Sequence, residues 1–359
     1  MPWPKTEETA VLTVNGRDYK DWESVTVKHE LGARPPYTCR FTCSEGMPLA
    51  KNFAVMQIKP GDMCTVTLAG FPAFTGKVMT RQVYYDSKRH HIEIQCGTFS
   101  ELSTSTVITP GSEYKDKTFG QIATDVLQKF GYNLKFEGGA APDLKFPRVS
   151  VSPTEPAHDL LEKLLRSATG KPARVTSNEN GDFVVHMGPS TEGSDTLTEG
   201  KEILIGREIL FNQAASGSTP AMSQGPGGDK LWGPKVASGP FAQEQQEFLS
   251  KNFFIPSTVL AEMPTSEKEV LKNRGQSENG FLKTDEVTVT LTVYGWLRPS
   301  GGLWKRGQTV SVVSPMLIMH GDPLIAKAVT FSQDNSSGTR TTLVLMNEIA
   351  LSAGGGGVK

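Results

Sequence analysis

Between residues 11 and 105, apolar and polar positions alternate with a period close to two, interrupted by short clusters of turn-forming residues. This is the pattern of half-buried strands joined by tight turns. Tyr37, Cys39, Phe41 and Cys43 alternate with Thr38, Arg40, Thr42 and Ser44, so one strand carries both cysteines on its buried face. At ~3.3 Å per residue, two cysteines four positions apart on one strand cannot bond to each other. Lys59-Pro-Gly-Asp62 turns into a strand over residues 63–68, a second runs over 74–83, and Asp86-Ser-Lys-Arg89 turns into a third over 91–96. The segment reads as a small antiparallel barrel or sandwich.

From about residue 107 to 196 the period becomes helical. Phe119, Ile122, Ala123, Val126, Leu127 and Phe130 form one stripe, opened by a Thr118-x-x-Gln121 capping box and closed by Gly131. A second helix is predicted over about 155–168, with Ala157, Leu160, Leu161, Leu164 and Leu165 on one face and Gly170 beyond its end. Asn180-Gly181 between two short apolar runs is a hairpin turn. Residues 213–240 are rich in Gly, Ser and Pro and have no periodic face, which predicts a long loop or partly disordered insertion. Short helical patterns are expected over 244–249 and 266–273, separated by a strand-like stretch over 253–261.

After residue 285 the strands return, and they repeat the first segment. Val287, Val289, Leu291 and Val293 take the places of Tyr37, Cys39, Phe41 and Cys43. Lys305-Arg-Gly307 falls where Lys59-Pro-Gly61 did, and Val310 and Val312 replace Cys64 and Val66. The run from Leu324 to Thr330 aligns with that from Phe74 to Thr80, the turn at Asp334 with that at Asp86, and Leu343 and Leu345 with Ile92 and Ile94.

The predicted fold is α+β and mainly β: two related antiparallel β-barrel domains of the tube type, an intervening small α+β domain, and an inserted loop-helix segment. The expected boundaries are 1–106 for the first barrel, 107–196 for the α+β domain, 197–212 with 285–350 for the second barrel, 213–284 for the insertion and 351–359 for a flexible tail.

Composition narrows the function classes. With 37 basic and 38 acidic residues in 359, the net charge of -1 supplies no overall attraction for nucleic acid or an acidic membrane. No apolar run approaches the ~18 residues of a membrane span, and the N-terminus lacks a signal-peptide pattern, so a soluble product is expected. GxSxG, HExxH and GxxxxGK[ST] are all missing, and Gly225-Pro-Gly-Gly228 does not follow a strand as a phosphate cradle would. The six histidines are scattered, and His90 and His91 point to opposite faces of one strand. Glu155, Asp159 and Glu162 share a helix face and invite comparison with a glycosidase acid/base pair, but a solvated helix face is the preferred reading. The four cysteines lack metal-ligand spacing and read as buried small apolar groups. The aromatic cluster Trp296 and Trp304, among glycines and Lys305-Arg306, reads as the closed end of a barrel.

Taken together, three stretches of the second half resemble a known family: Val287-Thr-Val-Thr-Leu-Thr-Val-Tyr-Gly-Trp296, Gly301-Gly-Leu-Trp304-Lys-Arg-Gly307 and Gly338-Thr-Arg-Thr-Thr-Leu343. They are similar to the C-terminal part of baseplate hub proteins of Mu-like contractile phages, the late control protein D group. Leu12-Thr-Val-Asn-Gly-Arg17, Trp22-Glu-Ser-Val25, Ile58-Lys-Pro-Gly-Asp62 and the helix from Phe119 to Leu127 resemble the same group's opening domains. The resemblance implies a structural, non-enzymatic protein of the virion tail baseplate, assembled in the host cytoplasm. In that family three chains form a ring that offers six similar β units to a six-fold tube and a three-fold seat to the spike. Implied partners are two further copies in a homotrimer, the tail tube protein, the central spike protein, baseplate wedge proteins and the tape-measure protein, with DNA only in transit and no stable membrane binding. No cofactor, metal or catalytic residue is implied. The residues carrying the family signature are Lys59, Gly61, Asp62, Gly295, Trp296, Trp304 and Gly307. A tail-tip peptidoglycan hydrolase and the hub half of a secretion-system spike protein are the competing readings. The second is expected to continue into a spike on the same chain, whereas this sequence stops at Lys359.

Overall fold

The computed structural model describes residues 8–46, 57–87, 89–99, 113–151, 154–169, 174–187, 193–210, 218–223, 241–245, 259–260, 268, 271–275, 287–317 and 323–347. The first strands are β1 (Ala10–Val14), β2 (Arg17–Tyr19), β3 (Ser24–Glu30), β4 (Tyr37–Gly46), β5 (Met63–Leu68), β6 (Phe71–Tyr85) and β7 (Arg89–Gly97), laid side by side in the order β3-β4-β7-β6-β5-β1-β2. Tyr37, Cys39 and Phe41 of β4 are buried while Arg40 is exposed, as the alternation requires.

The chain then builds β8 (Glu113–Thr118), α1 (Phe119–Gln128), β9 (Leu134–Glu137), β10 (Lys145–Ser150), α2 (Ala157–Thr169), β11 (Arg174–Ser177) and β12 (Phe183–His186). Thr118 and Gln121 close the capping box expected at the start of α1. The apolar stripes of both helices pack with Phe99, Phe146, Val175 and Phe183 in a core of their own. At the helix end, Gly131 adopts φ +78°, and the Tyr132 N–H donates back to the Leu127 carbonyl.

The second copy uses β13 (Asp195–Thr198), β14 (Ile203–Leu210), then β18 (Val287–Tyr294), β19 (Thr309–Val313), β20 (Pro323–Asp334) and β21 (Gly338–Asn347). Its order, β14-β18-β21-β20-β19-β13, reproduces β3-β4-β7-β6-β5-β1 strand for strand. The copies differ at one end, where β13 runs parallel to β19 although β1 is antiparallel to β5. Each copy also carries a register shift at the same place. It follows Val78 opposite Cys96 in the first and Ala326 opposite Leu345 in the second.

That shared bulge corrects the sequence alignment in two strands. Leu324 stands opposite Val310 as Gly76, not Phe74, stands opposite Cys64. Leu343 stands opposite Leu291 as Ile94, not Ile92, stands opposite Phe41. The alignment was off by two residues, a shift that leaves every side chain on its own face and is therefore invisible to alternation. The match of Tyr37, Cys39 and Phe41 with Val287, Val289 and Leu291 is the one this register requires.

The two copies are joined edge to edge. β20 pairs antiparallel with β3 from Ala328 opposite Glu30 to Asp334 opposite Ser24, making one 13-stranded sheet. A single buried cluster continues beneath it, with Phe331 and Val27 facing each other across the seam and neither exposed.

The insertion departs from expectation. β15 (Ser218–Met222) lies inside the stretch read as loop, and β16 (Phe241–Gln245) covers Glu244 and Gln245, where a helix was expected to begin. With β17 (Val259–Leu260) they form a separate three-stranded sheet whose pairings are all between segments distant in sequence. Helical backbone at residues 271–275 overlaps the end of the second expected helix. Gly225-Pro-Gly-Gly228 and the 351–359 tail lie outside the described residues.

Because one core runs under both copies, urea unfolding followed by the fluorescence of Trp22 in one copy and Trp296 in the other should give a single coincident transition. Phe331→Ala should lower its stability by about 3–5 kcal/mol. Two transitions, only one of them moved by the substitution, would mean that the copies fold independently.

Candidate functional site

Lys59, Gly61 and Asp62 in the first copy and Lys305, Gly307 and Gln308 in the second form equivalent turns. In the first, the Lys59 N–H donates to Asp62 Oδ2 at 2.8 Å, the Gly61 N–H to the Val78 carbonyl at 2.8 Å, and the Val78 N–H to the Asp62 carbonyl at 2.9 Å. In the second, the Lys305 N–H donates to Gln308 Oε1, the Gly307 N–H to the Ala326 carbonyl at 2.8 Å, and the Ala326 N–H to the Gln308 carbonyl at 2.9 Å. Both turns clip the chain entering β5 or β19 onto the residue just before the bulge. Gly61 (φ +93°) and Gly307 (φ +73°) occupy a backbone region that disfavours a side chain.

Trp296 and Trp304 are both buried. Trp296 donates its backbone N–H to Glu8 Oε1 at 2.9 Å and its indole N–H to the Ser332 carbonyl at 3.2 Å. Gln333 donates to the Glu8 carbonyl at 2.8 Å, so Glu8, preceding β1, is tied to the second copy. Gly295, at φ +71°, sits in a backbone region that disfavours a side chain, and a Cβ there would lie 2.7 Å from Glu8 Oε1 and displace that carboxylate.

A polar junction, which sequence reasoning missed, joins both copies to the helical domain. Arg306 is buried and donates through Nε and Nη2 to the Ser177 carbonyl at 3.0 and 2.5 Å, and through Nη1 to Glu137 Oε2 at 3.2 Å. Its guanidinium carbon lies 5.7 Å from the centroid of the Tyr37 ring, the geometry of a cation–π contact. Tyr37 in turn stacks on His29 with centroids 3.8 Å apart. His186 Nδ1 approaches Glu137 at 3.8 Å, and a Cβ on Gly307 would lie 2.6 Å from His186 Nε2, so this glycine is also needed for close packing. The nearest sequence signal was Lys305-Arg306-Gly307 itself, which marked the turn and not the partners of its arginine.

The charges in this junction are set by their surroundings. Burial, reinforced by the Arg306 charge, drives the His29 pKa down to about 3, and His29 is neutral at pH 7. Burial pushes Tyr37 up to about 12. The contact with His186 and the Arg306 charge hold Glu137 at about 2 against the opposing effect of burial. Arg306 therefore has one ionised partner, one carbonyl and one aromatic face.

Two further seams fix the helical domain. Arg34 bridges Asp159 and Glu162 of α2, each at 2.5 Å, while Glu155 meets Lys163 at 3.5 Å. The helix face read as solvated thus grips the first copy. The Thr75 hydroxyl donates to the Glu179 carbonyl at 2.8 Å, beside the hairpin glycine Gly181, where a Cβ would lie 2.9 Å from the Thr75 carbonyl. None of the four cysteines is in a disulfide, and Cys39 lies opposite Cys96. The pKa of Cys39 is raised by burial, and those of Cys64 and Cys96 first by thiol hydrogen bonds, so these three remain protonated thiols. Among the described residues no group of three His, Cys, Asp or Glu side chains is placed to hold a metal, and no helix is long and apolar enough to cross a membrane.

Two measurements test the junction. His29 takes up its proton in the folded state only near pH 3 but near pH 6.5 when unfolded. The stability it confers is therefore complete above pH 6.5 and lost as pH falls. Between pH 6.5 and 4.5 the loss should be about 2–3 kcal/mol from this residue. His29→Phe should flatten the slope, while His158, whose pKa is also lowered by burial, acts in the same direction; an unchanged slope would show that His29 is not the group. Separately, Arg306→Met should cost about 3–5 kcal/mol in urea titration, because Glu137 and the Ser177 carbonyl lose their buried partner. Arg306→Lys should recover only part of that loss, since an ammonium cannot reproduce the forked contact.

Residues 9–97, covering β1 to β7, match the family model of the Mu phage baseplate assembly protein GpP-like, N-terminal. The baseplate hub protein gp44 of Escherichia phage Mu is 22% identical over 344 residues, covering 94% of this chain and 87% of the relative. Among solved structures, the 43 kDa tail protein of prophage MuSo2 from Shewanella oneidensis is 20% identical with a TM-score of 0.81, covering 96% of this chain and 99% of that one. The tail protein from Neisseria meningitidis MC58 is 13% identical with a TM-score of 0.76, covering 96% and 98%. Its first strands match a Mu phage baseplate domain, and nearly its whole length is similar in sequence to a phage baseplate hub protein and in fold to phage tail proteins.

Proposed function

We propose that three copies of this chain form a closed ring at the tip of a phage tail, joining the six-fold tail tube to the three-fold central spike around a channel for DNA. The observation that carries the reading is the repeated strand order, β3-β4-β7-β6-β5-β1 and β14-β18-β21-β20-β19-β13, within one sheet of one chain. Three chains with two such units each present six similar surfaces to a hexameric partner while keeping true three-fold symmetry for a trimeric one. The tube protein and the spike protein are then the direct partners, with wedge proteins outside the ring and the tape-measure protein within reach of the channel.

The work of such a hub is mechanical. Its domains must keep their mutual orientation while neighbouring components bind and leave, and the three seams at Arg306, Arg34 and Thr75 supply that rigidity. A net charge of -1 suits a channel through which a polyanion passes without being held. The protein acts by binding and alignment, with no covalent step.

The mass of the purified chain in solution, measured by light scattering over a concentration range, should approach three times that of one chain. Class averages of the particles viewed end-on should show six similar lobes. Monomers, dimers or tetramers at every concentration would overturn the ring. Clearing of purified cell wall by the chain would overturn its non-catalytic character.

A further inference from the structure

Two of the three seams that hold the helical domain set a buried histidine beside the arginine that makes the contact. At the first, Arg306 bridges the second copy to Ser177 and Glu137 and lies against the Tyr37 ring, on which His29 is stacked. At the second, Arg34 reaches from the first copy to Asp159 and Glu162 of α2, and His158 Nδ1 lies 3.7 Å from Glu162 Oε1. Both rings are buried, His29 being 5% and His158 3% exposed. The third seam joins the Thr75 hydroxyl to the Glu179 carbonyl, and neither group titrates.

A proton is poorly received at either ring. His29 hydrogen-bonds the Ala73 backbone and leaves Nε2 without a partner among the described residues, so an added N–H has no acceptor. Around it stand the Tyr37 ring of β4, the Phe331 edge of β20 and the Arg306 cation of the Gly307 turn. Glu137 of β9 is already taken by Arg306, and His186 of β12 lies 3.8 Å from that same carboxylate. His158 Nδ1 is also without a hydrogen bond. Its neighbours are Glu162 and Asp159 on its own helix, Arg34 from the first copy and the Phe183 ring of β12, while Glu155 is tied to Lys163. A charged His158 competes with Arg34 for Glu162, and Arg34 then loses one of its two carboxylates.

We propose that the helical domain is an acid-released brace: proton uptake by His29 and His158 breaks the seams at Arg306 and Arg34, and the domain swings about the Thr75–Glu179 contact while the two β copies stay joined. The seams give way before the copies do because each rests on one arginine. The copies share a ladder of seven residue pairs and a continuous core, and a main-chain ladder does not depend on side-chain charge. Burial, reinforced by Arg306, holds His29 at about 3, and burial, with Arg34 acting the same way, lowers His158 against the pull of Glu162 and Asp159. Opening returns each ring to water and to its ordinary value of about 6.5. The open form therefore binds protons that the closed form refuses, and its population grows as pH falls below that value. The device belongs to the single chain and does not depend on how copies assemble.

The test uses the full chain with spin labels on Gln128→Cys, at the end of α1, and Asn335→Cys, in the turn between β20 and β21. Cys43→Ser removes the half-buried thiol, and the other three are buried. Electron–electron double resonance should show one distance at pH 7.5 and a second, broader population at pH 5, with the fluorescence of Trp22 and Trp296 unchanged. Between pH 6 and pH 5 the ratio of open to closed form should rise at least about eightfold, the value for one histidine. His29→Phe with His158→Phe should abolish the acid population and keep the distance seen at pH 7.5. The pH dependence is read on the native histidines, so it stands even where the paired variant does not fold. A single distance down to pH 5, a ratio that rises less than threefold, an open population that the paired variant keeps, or a loss of tryptophan signal together with the distance would each overturn the acid release.

Discussion

The main-chain ladder between β20 and β3 is the contact on which the rest of the architecture depends. Seven residue pairs convert two copies of a domain into one sheet, and the core beneath becomes continuous from Val27 to Phe331. A flexible linker between two separate domains would leave their relative angle undefined. A strand ladder fixes it, because the hydrogen bonds set the spacing at about 4.8 Å and the buried face sets the register.

The other contacts act to keep the ladder from being the only restraint. Glu8 reaches from the start of the first copy to the Trp296 amide of the second, and Arg306 reaches from the second copy through the helical domain to the Tyr37 ring of the first. Arg306 is well suited to this position, since a guanidinium satisfies a carbonyl and a carboxylate in one plane while its face lies on an aromatic ring. The neutral His29 stacked behind Tyr37 avoids a second buried cation beside it. The helical domain is held at three points that lie far apart in sequence, Arg34, Thr75 and Arg306, and so it acts as a brace across the two copies.

The duplicated turns show which parts of the unit tolerate change. Lys59, Gly61 and Asp62 correspond to Lys305, Gly307 and Gln308, and a carboxylate in one copy is replaced by an amide in the other without loss of the hydrogen bond to the lysine N–H. The amide adds something the carboxylate does not have, a donor that reaches Asp195 at 2.9 Å and fastens the turn to β13. Cys39 and Cys64, by contrast, correspond to Val289 and Val310 in the other copy, exchanges between small apolar groups that leave the backbone alone.

Much of this was legible in the residues alone. Alternation gave the strands and their buried faces, the capping box and Gly131 gave the limits of α1, and the correspondence of Tyr37, Cys39 and Phe41 with Val287, Val289 and Leu291 gave the duplication. These are local properties, written in spacings of two and of three to four residues. Three things were not local, and only the tertiary structure decided them. The two-residue slip in the alignment of β6 and β7 with β20 and β21 preserves facing, so no pattern of polarity could expose it, and it took the bulge to do so. The strands β15 and β16 exist through pairing across a long intervening segment, which overrode a loop-like composition and a short helical pattern. The roles of Arg306, Glu137 and Arg34 depend on which surfaces meet, because an arginine in a sequence carries its charge but not the identity of the carbonyl, carboxylate or ring that folding brings beside it.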